Sequence, residues 1–403
     1  MKAVTEIEAK EGHVVRNLPW PIVRLGEMAE KIGSGSTPRG GESVYTDTGV
    51  PLIRSMNVHF DGFRPDGLVF IDNTEAGKLD HVTVRPTDVL LNITGASIGR
   101  VTVAPDSIAG ARVNQHVCII RPKSELLGPF LAYFFASPDQ QARIGNVQVG
   151  ATRQALTKSV IEKWEVPIPP VPVQRRIVAE IEKQFTRLEA GVAALKRVQA
   201  GLRRYRAAVL KAACEGGLAE GDRKRWRMER LGQLVTIRYG KMLPTKEFSE
   251  AGFPVFGANG IIGYYTRYFY ETEQVLISCR GAYSGRLNLS PPKCFITNNS
   301  LVLEMPERPR IEKRFLFYVL QAADKSKLVT GSAQPQVTIN NADVLDVPVP
   351  PLGEQTRIVA KVERRLSVVE ELEAVVSASL QRAKRLRQSI LHHAFSAAES
   401  DRT

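Results

Sequence analysis

A proline run occurs twice in this chain, each time at the head of a long apolar stripe. The first copy reads Val166-Pro167-Ile168-Pro169-Pro170. Proline can neither donate to a sheet ladder nor continue a helix, so the run closes whatever precedes it. Beyond it, Val173, Ile177, Ile181, Phe185, Leu188, Val192, Leu195, Val198, Leu202, Tyr205 and Val209 recur at steps of three and four. That period marks one face of a continuous α-helix. At 1.5 Å per residue, about 40 residues make a rod of roughly 60 Å. A rod of that length has no core of its own and needs a second helix to cover its stripe.

The second copy supplies it. Val347-Pro348-Val349-Pro350-Pro351 repeats the run, and Gln355, Arg357, Ile358 and Val359 fall on Gln174, Arg176, Ile177 and Val178 at an offset of 181. The stripe continues through Val362, Leu366, Val369, Leu372, Val376, Leu380, Ala383, Leu386 and Ile390. An isolated apolar stripe reads as ordinary core. Its length and duplication here favour two helices packed on each other, antiparallel if the duplicated units are related by an approximate two-fold.

The segments before the helices are duplicated too. Trp20-Pro21-Ile22-Val23-Arg24-Leu25-Gly26 returns as Trp226-Arg227-Met228-Glu229-Arg230-Leu231-Gly232, an offset of 206. Asp88–Arg100 aligns with Gln274–Arg286, Asn114-Gln115 with Asn298-Asn299, and Gly150 and Thr157 with Gly331 and Thr338. The chain therefore reads as a tandem repeat. The order is a first domain over 1–165, a proline linker and helix over 166–220, a second domain over 221–346, and a second linker and helix over 347–403. The offset is 203 between Gly49 and Gly252 but 186 between Val89 and Val275, so a loop such as Asn57–Asp80 is longer in the first copy. Short β-branched runs broken by Gly, Pro and Asn, such as Val89–Ile93, Val101–Val103 and Val117–Ile120, indicate strand-rich α/β (α+β) domains. Phe130–Phe135 and Phe315–Leu320 are expected as short helices.

With 403 residues the chain has room for two or three cores. A net charge of +13 points to a polyanionic partner or an acidic surface. No apolar run approaches about 18 residues and Met1–Glu6 lacks a signal-peptide core, so a cytoplasmic protein without a membrane span is expected. Cys118, Cys214, Cys279 and Cys294 are scattered without metal-ligand spacing or a disulfide pattern.

Gly95-Ala96-Ser97-Ile98-Gly99 fits the nucleophile elbow of a hydrolase, but that elbow requires a following helix and Arg100-Val101-Thr102-Val103 reads as a strand. The second copy, Gly281-Ala282-Tyr283-Ser284-Gly285, keeps the glycines and moves the serine, so the turn needs the glycines. The chain carries no phosphate-binding loop, no Asn-Pro-Pro-aromatic methyltransferase motif and no His-Glu-x-x-His. His392-His393 near a helix end reads as surface.

Two such domains, each followed by a long helix, resemble the specificity subunit of type I restriction–modification enzymes. The resemblance rests on the Trp-x-x-x-Arg-Leu-Gly openings, Gly33-Ser34-Gly35-Ser36-Thr37-Pro38, the Gly-Ala-x-x-Gly-Arg turns, Asn114-Gln115 and the Val-Pro-x-Pro-Pro…Gln-x-Arg-Ile-Val helix starts. The second domain departs from it, with Gly240-Lys241-Met242-Leu243-Pro244 in place of the Gly/Ser/Thr loop. The resemblance implies a non-catalytic, DNA-reading subunit with two target-recognition domains. Each would read one half of a bipartite site, and the paired helices would set the spacer and dock two methyltransferase (M) subunits. S-adenosylmethionine, ATP and Mg2+ would sit on partner M and motor/nuclease (R) subunits, and none on this chain.

Base edges are read by Arg or Lys at guanine and by Asn or Gln at adenine. Candidates in the first domain are Ser36, Thr37, Arg39, Arg54, Asn57, Ser97, Arg100, Asn114, Gln115, His116, Arg153 and Gln154. In the second they are Lys241, Lys246, Asn259, Arg267, Arg280, Tyr283, Arg286, Asn298, Asn299, Gln334 and Gln336. For each the alternative is a structural role, with Asn114 capping a turn as the clearest example. Tyr264–Tyr270 reads either as a half-buried strand or as an aromatic contact surface, and the basic helix faces as solvated or as phosphate-binding. A stand-alone DNA-binding regulator and a helical scaffold without sequence readout remain the competing functions.

Overall fold

The computed structural model describes residues 20–147, 155–221, 226–324, 328–331 and 335–396. It groups into two compact units, Met1–Ala194 with Leu380–Thr403, and Leu195–Ser379.

The first unit contains strands β1 (Ile22–Arg24), β2 (Ala29–Ser34), β3 (Val50–Ile53), β4 (Val58–His59), β5 (Gly62–Phe63), β6 (Val69–Ile71), β7 (Val89–Asn92), β8 (Val101–Val103), β9 (Arg112–Val113), β10 (Val117–Pro122) and β11 (Glu165–Pro167). Four form an antiparallel sheet in the order β2-β10-β7-β8. Successive residues of a strand point to opposite faces, and here both faces are covered. Val89, Leu91, Cys118 and Ile120 face a core with Phe130, Phe135 and Trp164, while Leu90 and Ile119 face Leu52, Ile53 and Ile71. The second core lies against the mixed sheet β6-β3-β9. Burial on both sides explains why Val89–Leu91 is an unbroken apolar run. β1 pairs with β11, Val23 opposite Val166, so the proline run leaves from where the domain closes on itself.

The second unit repeats this frame with β12 (Arg227–Arg230), β13 (Thr236–Tyr239), β14 (Phe253–Phe256), β15 (Ile261–Tyr265), β16 (Val275–Ser278), β17 (Leu287–Leu289), β18 (Phe295–Ile296), β19 (Ser300–Glu304) and β20 (Asp346–Val349). Its sheets are β13-β19-β16-β17, β15-β14-β18 and β12-β20. Val275, Ile277, Leu301 and Leu303 face one core, Leu276 and Val302 another. The longer first copy is explained between β3 and β7. Residues 54–68 hold the β4–β5 hairpin where only 257–260 join β14 to β15, and helix Asn73–Lys78 follows β6. The expected short helices are Gly128–Ala136 and Lys313–Ala322.

The long helices run over Val171–Cys214 and Leu352–Ser396. In the first unit Ile181 and Phe185 share a core with Ile390, Leu391 and Phe395, whose ring meets Phe130 at 5.4 Å and Phe134 at 5.6 Å. There Arg387 lies over the Phe185 ring at 4.0 Å and pairs with Glu189 at 3.4 Å. In the second unit Val209, Leu210 and Ala213 share a core with Ile358, Val359, Val362 and Leu366. Arg206 pairs with Glu370 at 3.0 Å and Lys361 with Glu220, just past the first helix, at 2.7 Å. Rising numbers in one segment meet falling numbers in the other, so the helices run antiparallel. The stripe is not one continuous seam: Val198, Tyr205, Leu372 and Leu386 stay about half exposed. A fixed seven-residue spacing drifts by about 20° per heptad on a straight helix, so one face cannot cover every stripe residue.

Candidate nucleic-acid interface

In the first unit the sheet brings together three loops distant in sequence: Gly35–Arg39 after β2, Thr94–Arg100 after β7, and Asn114–His116 before β10. The Gly35 amide donates to the Asn114 carbonyl at 3.3 Å. A Cβ on Gly35 would lie 1.8 Å from the Val113 carbonyl oxygen, so this approach requires glycine. Thr37 Oγ1 donates to Gln115 Oε1. Gln115 Nε2 meets His116 Nε2 at 3.0 Å, and His116 Nδ1 meets Thr94 Oγ1 at 2.5 Å. An amide nitrogen only donates, so His116 Nε2 accepts and Nδ1 carries the proton. One chain of hydrogen bonds thus links all three loops.

The turn after β7 is held by Asn92, whose Nδ2 donates to Ser97 Oγ at 3.1 Å and to the Ser55 carbonyl at 2.8 Å. Gly95 and Gly99 have φ of +73° and +83°, matched by +72° and +81° at Gly281 and Gly285. A strand follows, not a helix, so the elbow reading fails on geometry as well. Arg100 is half-buried with no side-chain partner among the described residues. Ser36, Arg39 and Gln115 are exposed.

Three candidate base readers hold the fold instead. Asn57 is fully buried: its Nδ2 donates to the Arg64 and Asp66 carbonyls at 2.9 and 3.2 Å, and its Oδ1 accepts from the Arg54 amide. Arg54 donates to the Gly67 carbonyl at 2.6 Å and lies over the Tyr45 ring at 5.6 Å. Asn114 is buried, its Oδ1 accepting from the His116 amide at 3.0 Å in an Asx turn. Arg153, Gln154 and Gln334 lie outside the described residues.

The second unit builds the same cluster. The Gly240 amide donates to the Ser300 carbonyl at 3.0 Å, and a Cβ there would lie 2.3 Å from the Thr297 carbonyl oxygen. The Asn298 amide donates to Lys241, and the Cys279 amide to Asn299. The register corrects one alignment. Val117 sits opposite Asn92 as Ser300 sits opposite Ser278, so Asn298-Asn299 match Gln115-His116, not Asn114-Gln115. Thr297 takes the place of Asn114: their amides donate to the equivalent carbonyls of Phe256 and Ile53. The pair of adjacent asparagines hid the one-residue slip.

In this shared frame Ser36 and Thr37 correspond to Lys241 and Met242, Thr94 to Arg280, Ser97 to Tyr283 and Arg100 to Arg286. Lys241, Lys246, Asn259, Arg267, Arg280, Tyr283, Arg286 and Gln336 are exposed, Asn298 and Asn299 half-exposed. Lys241 Nζ stands 3.5 Å from the Phe269 ring centre and the Arg286 guanidinium 5.9 Å from that of Tyr283. Met242 and Thr94 were missed in the sequence. The duplicate of Thr94, Arg280, was the available signal.

The aromatic stretch is largely structural. Tyr265 and Phe269 pack on Phe295 at 5.4 and 5.2 Å, Tyr268 on Phe253 at 4.7 Å, and Tyr270 donates to Glu304. Among the basic helix residues, Lys183 and Lys211 pair with Glu180 and Glu215 at 3.3 and 3.7 Å. His392 lies 3.4 Å from Asp139. Among the described residues no three His, Cys, Asp or Glu side chains are grouped to hold a metal, and no helix is long and apolar enough to cross a membrane.

The sequence matches the family model of the type I restriction modification DNA specificity domain twice, at 17–195 and 223–380. Similar proteins include the specificity subunits of the type I restriction enzymes StySPI of Salmonella potsdam (21% identical) and EcoKI of Escherichia coli strain K12 (23% identical). Each match covers 87% of this chain and 82% of the relative. Among solved structures, a chain from work on complex assembly and conformational transition of the type I R-M system shares 23% identity, with TM-score 0.76 over 94% of this chain and 98% of that one. The HsdS subunit from Thermoanaerobacter tengcongensis shares 22%, with TM-score 0.56 over 94% and 97%. With the duplicated frame, the two model matches and the likeness in fold, the chain belongs to the type I restriction modification DNA specificity family, as a specificity subunit and not an enzyme.

Proposed function

We propose that each unit reads one half of a bipartite DNA target through its own three loops. The observation carrying this reading is that one backbone frame, built twice, displays different side chains at equivalent positions. In the first unit Ser36, Thr37, Arg39, Ser97, Arg100, Gln115 and His116 face the duplex. In the second, Lys241, Lys246, Asn259, Arg267, Arg280, Tyr283, Arg286, Asn298, Asn299 and Gln336 do so. The amides of Gln115, Asn298 and Asn299 have the donor–acceptor pairs that adenine edges require, and Arg100 and Arg286 the paired donors for guanine. A net charge of +13 favours approach to a polyanion.

The long helices fix the unread spacer and dock two methyltransferase subunits that carry S-adenosylmethionine. Motor/nuclease subunits bring ATP and Mg2+ to the full cytoplasmic assembly. Equivalent groove faces recur about every 34 Å along DNA, the scale a pair of rods of roughly 60 Å is able to span.

Selection of duplexes from a random pool, with the full chain and its methyltransferase partner, tests the reading. Two short, different half-sites at a constant separation are expected, methylated once the partner is present. Selective binding without methylation would identify a stand-alone regulator. Absence of any selected sequence would leave a scaffold.

A further inference from the structure

The two reading surfaces differ at the loop after the first sheet strand and at the glycine-bounded turn, both tied by backbone hydrogen bonds to the loop between them, Asn114–His116 in one unit and Thr297–Asn299 in the other. In the first unit those positions are Thr37, engaged with Gln115, and Ser97, engaged with Asn92. In the second they are Met242 and Tyr283, exposed at 76% and 48%. Ser300 draws a third apolar element alongside. Its carbonyl accepts from Gly240, next to the Met242 loop, and its hydroxyl donates to the Gly257 carbonyl at the hairpin tip that carries exposed Ile261 and Ile262.

An unbranched thioether reaching 76% into solvent gains nothing from the fold. Here it stands among the exposed cationic side chains Lys241, Arg280 and Arg286. Charge selects a polyanion, and the apolar side chains select what that polyanion presents beside its phosphates. In the major groove the apolar group displayed by a base pair is the C5-methyl of thymine.

We propose that the second unit reads at least one thymine of its half-site by seating the C5-methyl against Met242 and the Tyr283 ring, with Lys241 and Arg280 holding the flanking phosphates. The first unit, with hydroxyls at both positions, reads its half-site by hydrogen bonds alone. The inference rests on the DNA-reading role proposed above.

The test replaces thymine by uracil, which removes only that methyl, one position at a time in the selected duplex, using the full chain with its methyltransferase partner. At one or more thymines of the second half-site the dissociation constant should rise about fourfold, the loss of one buried methyl group. The first half-site should tolerate every replacement. Met242→Thr and Tyr283→Ser install the first unit's residues at exposed positions, and either should abolish sensitivity to the missing methyl. Uracil tolerated throughout the second half-site, or a second half-site without thymine on either strand, would overturn this inference alone. Failure to select any duplex would overturn it together with the DNA-reading role.

Discussion

Gln174 and Gln355 do the same work in their respective units. Each is fully buried in the first turn of a long helix. Gln174 Nε2 donates to the Pro169 and Glu125 carbonyls, both at 2.8 Å, and its Oε1 accepts from the Leu127 amide at 2.8 Å. Gln355 Nε2 donates to Pro350 at 2.7 Å and Arg310 at 3.0 Å, and its Oε1 accepts from Glu312 at 2.6 Å. One side chain thus joins the proline run, the helix start and the entry to the domain's short helix.

Gln174→Ala leaves three backbone groups without their side-chain partner, at roughly 1 kcal/mol each. The expected cost is about 3 kcal/mol, with amide exchange speeding up around Leu127 and not around Glu312. Gln355→Ala should show the reverse. Unchanged protection around the substituted site would contradict the clamp.

Phe395 buries its ring against Phe130 and Phe134, so the last turn of the second long helix completes the first unit's core. Phe395→Ala should destabilise that unit by about 3–5 kcal/mol. Denaturant unfolding followed by exchange should show the loss in the first unit's sheet, with the second unit's sheet unaffected.

Gly35 and Gly240 let one loop lie directly on the carbonyl of the next. Alanine at either must push the loops apart, an overpacking cost of about 1–3 kcal/mol. In a binding assay Gly35→Ala should blur one half-site only and Gly240→Ala the other.

Burial pushes the Cys118 thiol up to about 12 and that of Cys214 to about 11. Both stay protonated at pH 8, where the thiolate is the reactive form. Thiol reagents should therefore label them more than about 100-fold more slowly than free cysteine in the native protein. Labelling should become complete once the chain is unfolded in urea.

If the helices set the spacer, deleting about one turn from both should change the preferred separation while both half-sites stay readable. Duplex selection on the shortened protein measures this directly, and an unchanged separation would exclude the ruler role.

Much of the architecture was legible because duplication supplies an internal control. Repeated proline runs, glycine turns and Gln-x-Arg-Ile-Val starts located two domains and two helices, and the falling offset located the extra β4–β5 hairpin and its following helix. Side-chain roles were less legible. Asn57, Arg54 and Asn114 have the chemistry of base readers, but burial commits the two asparagines to backbone partners and the Gly67 carbonyl engages Arg54, and these placements follow from loop paths that residue type does not encode. The helical period placed Ile181 and Phe185 in a core correctly. It could not tell them from Val198 and Tyr205, which stay exposed on the same stripe.

One target divided between two equivalent loop sets, each reading its own half, is the proposed division of labour. Its most direct test is duplex selection from a random pool by the assembled complex carrying Gln115→Ala in one experiment and Asn298→Ala in another. A two-part motif is expected in which the first substitution alters preference in one half and the second in the other, with the separation unchanged. A single uninterrupted motif, or both substitutions acting on the same half, would contradict it.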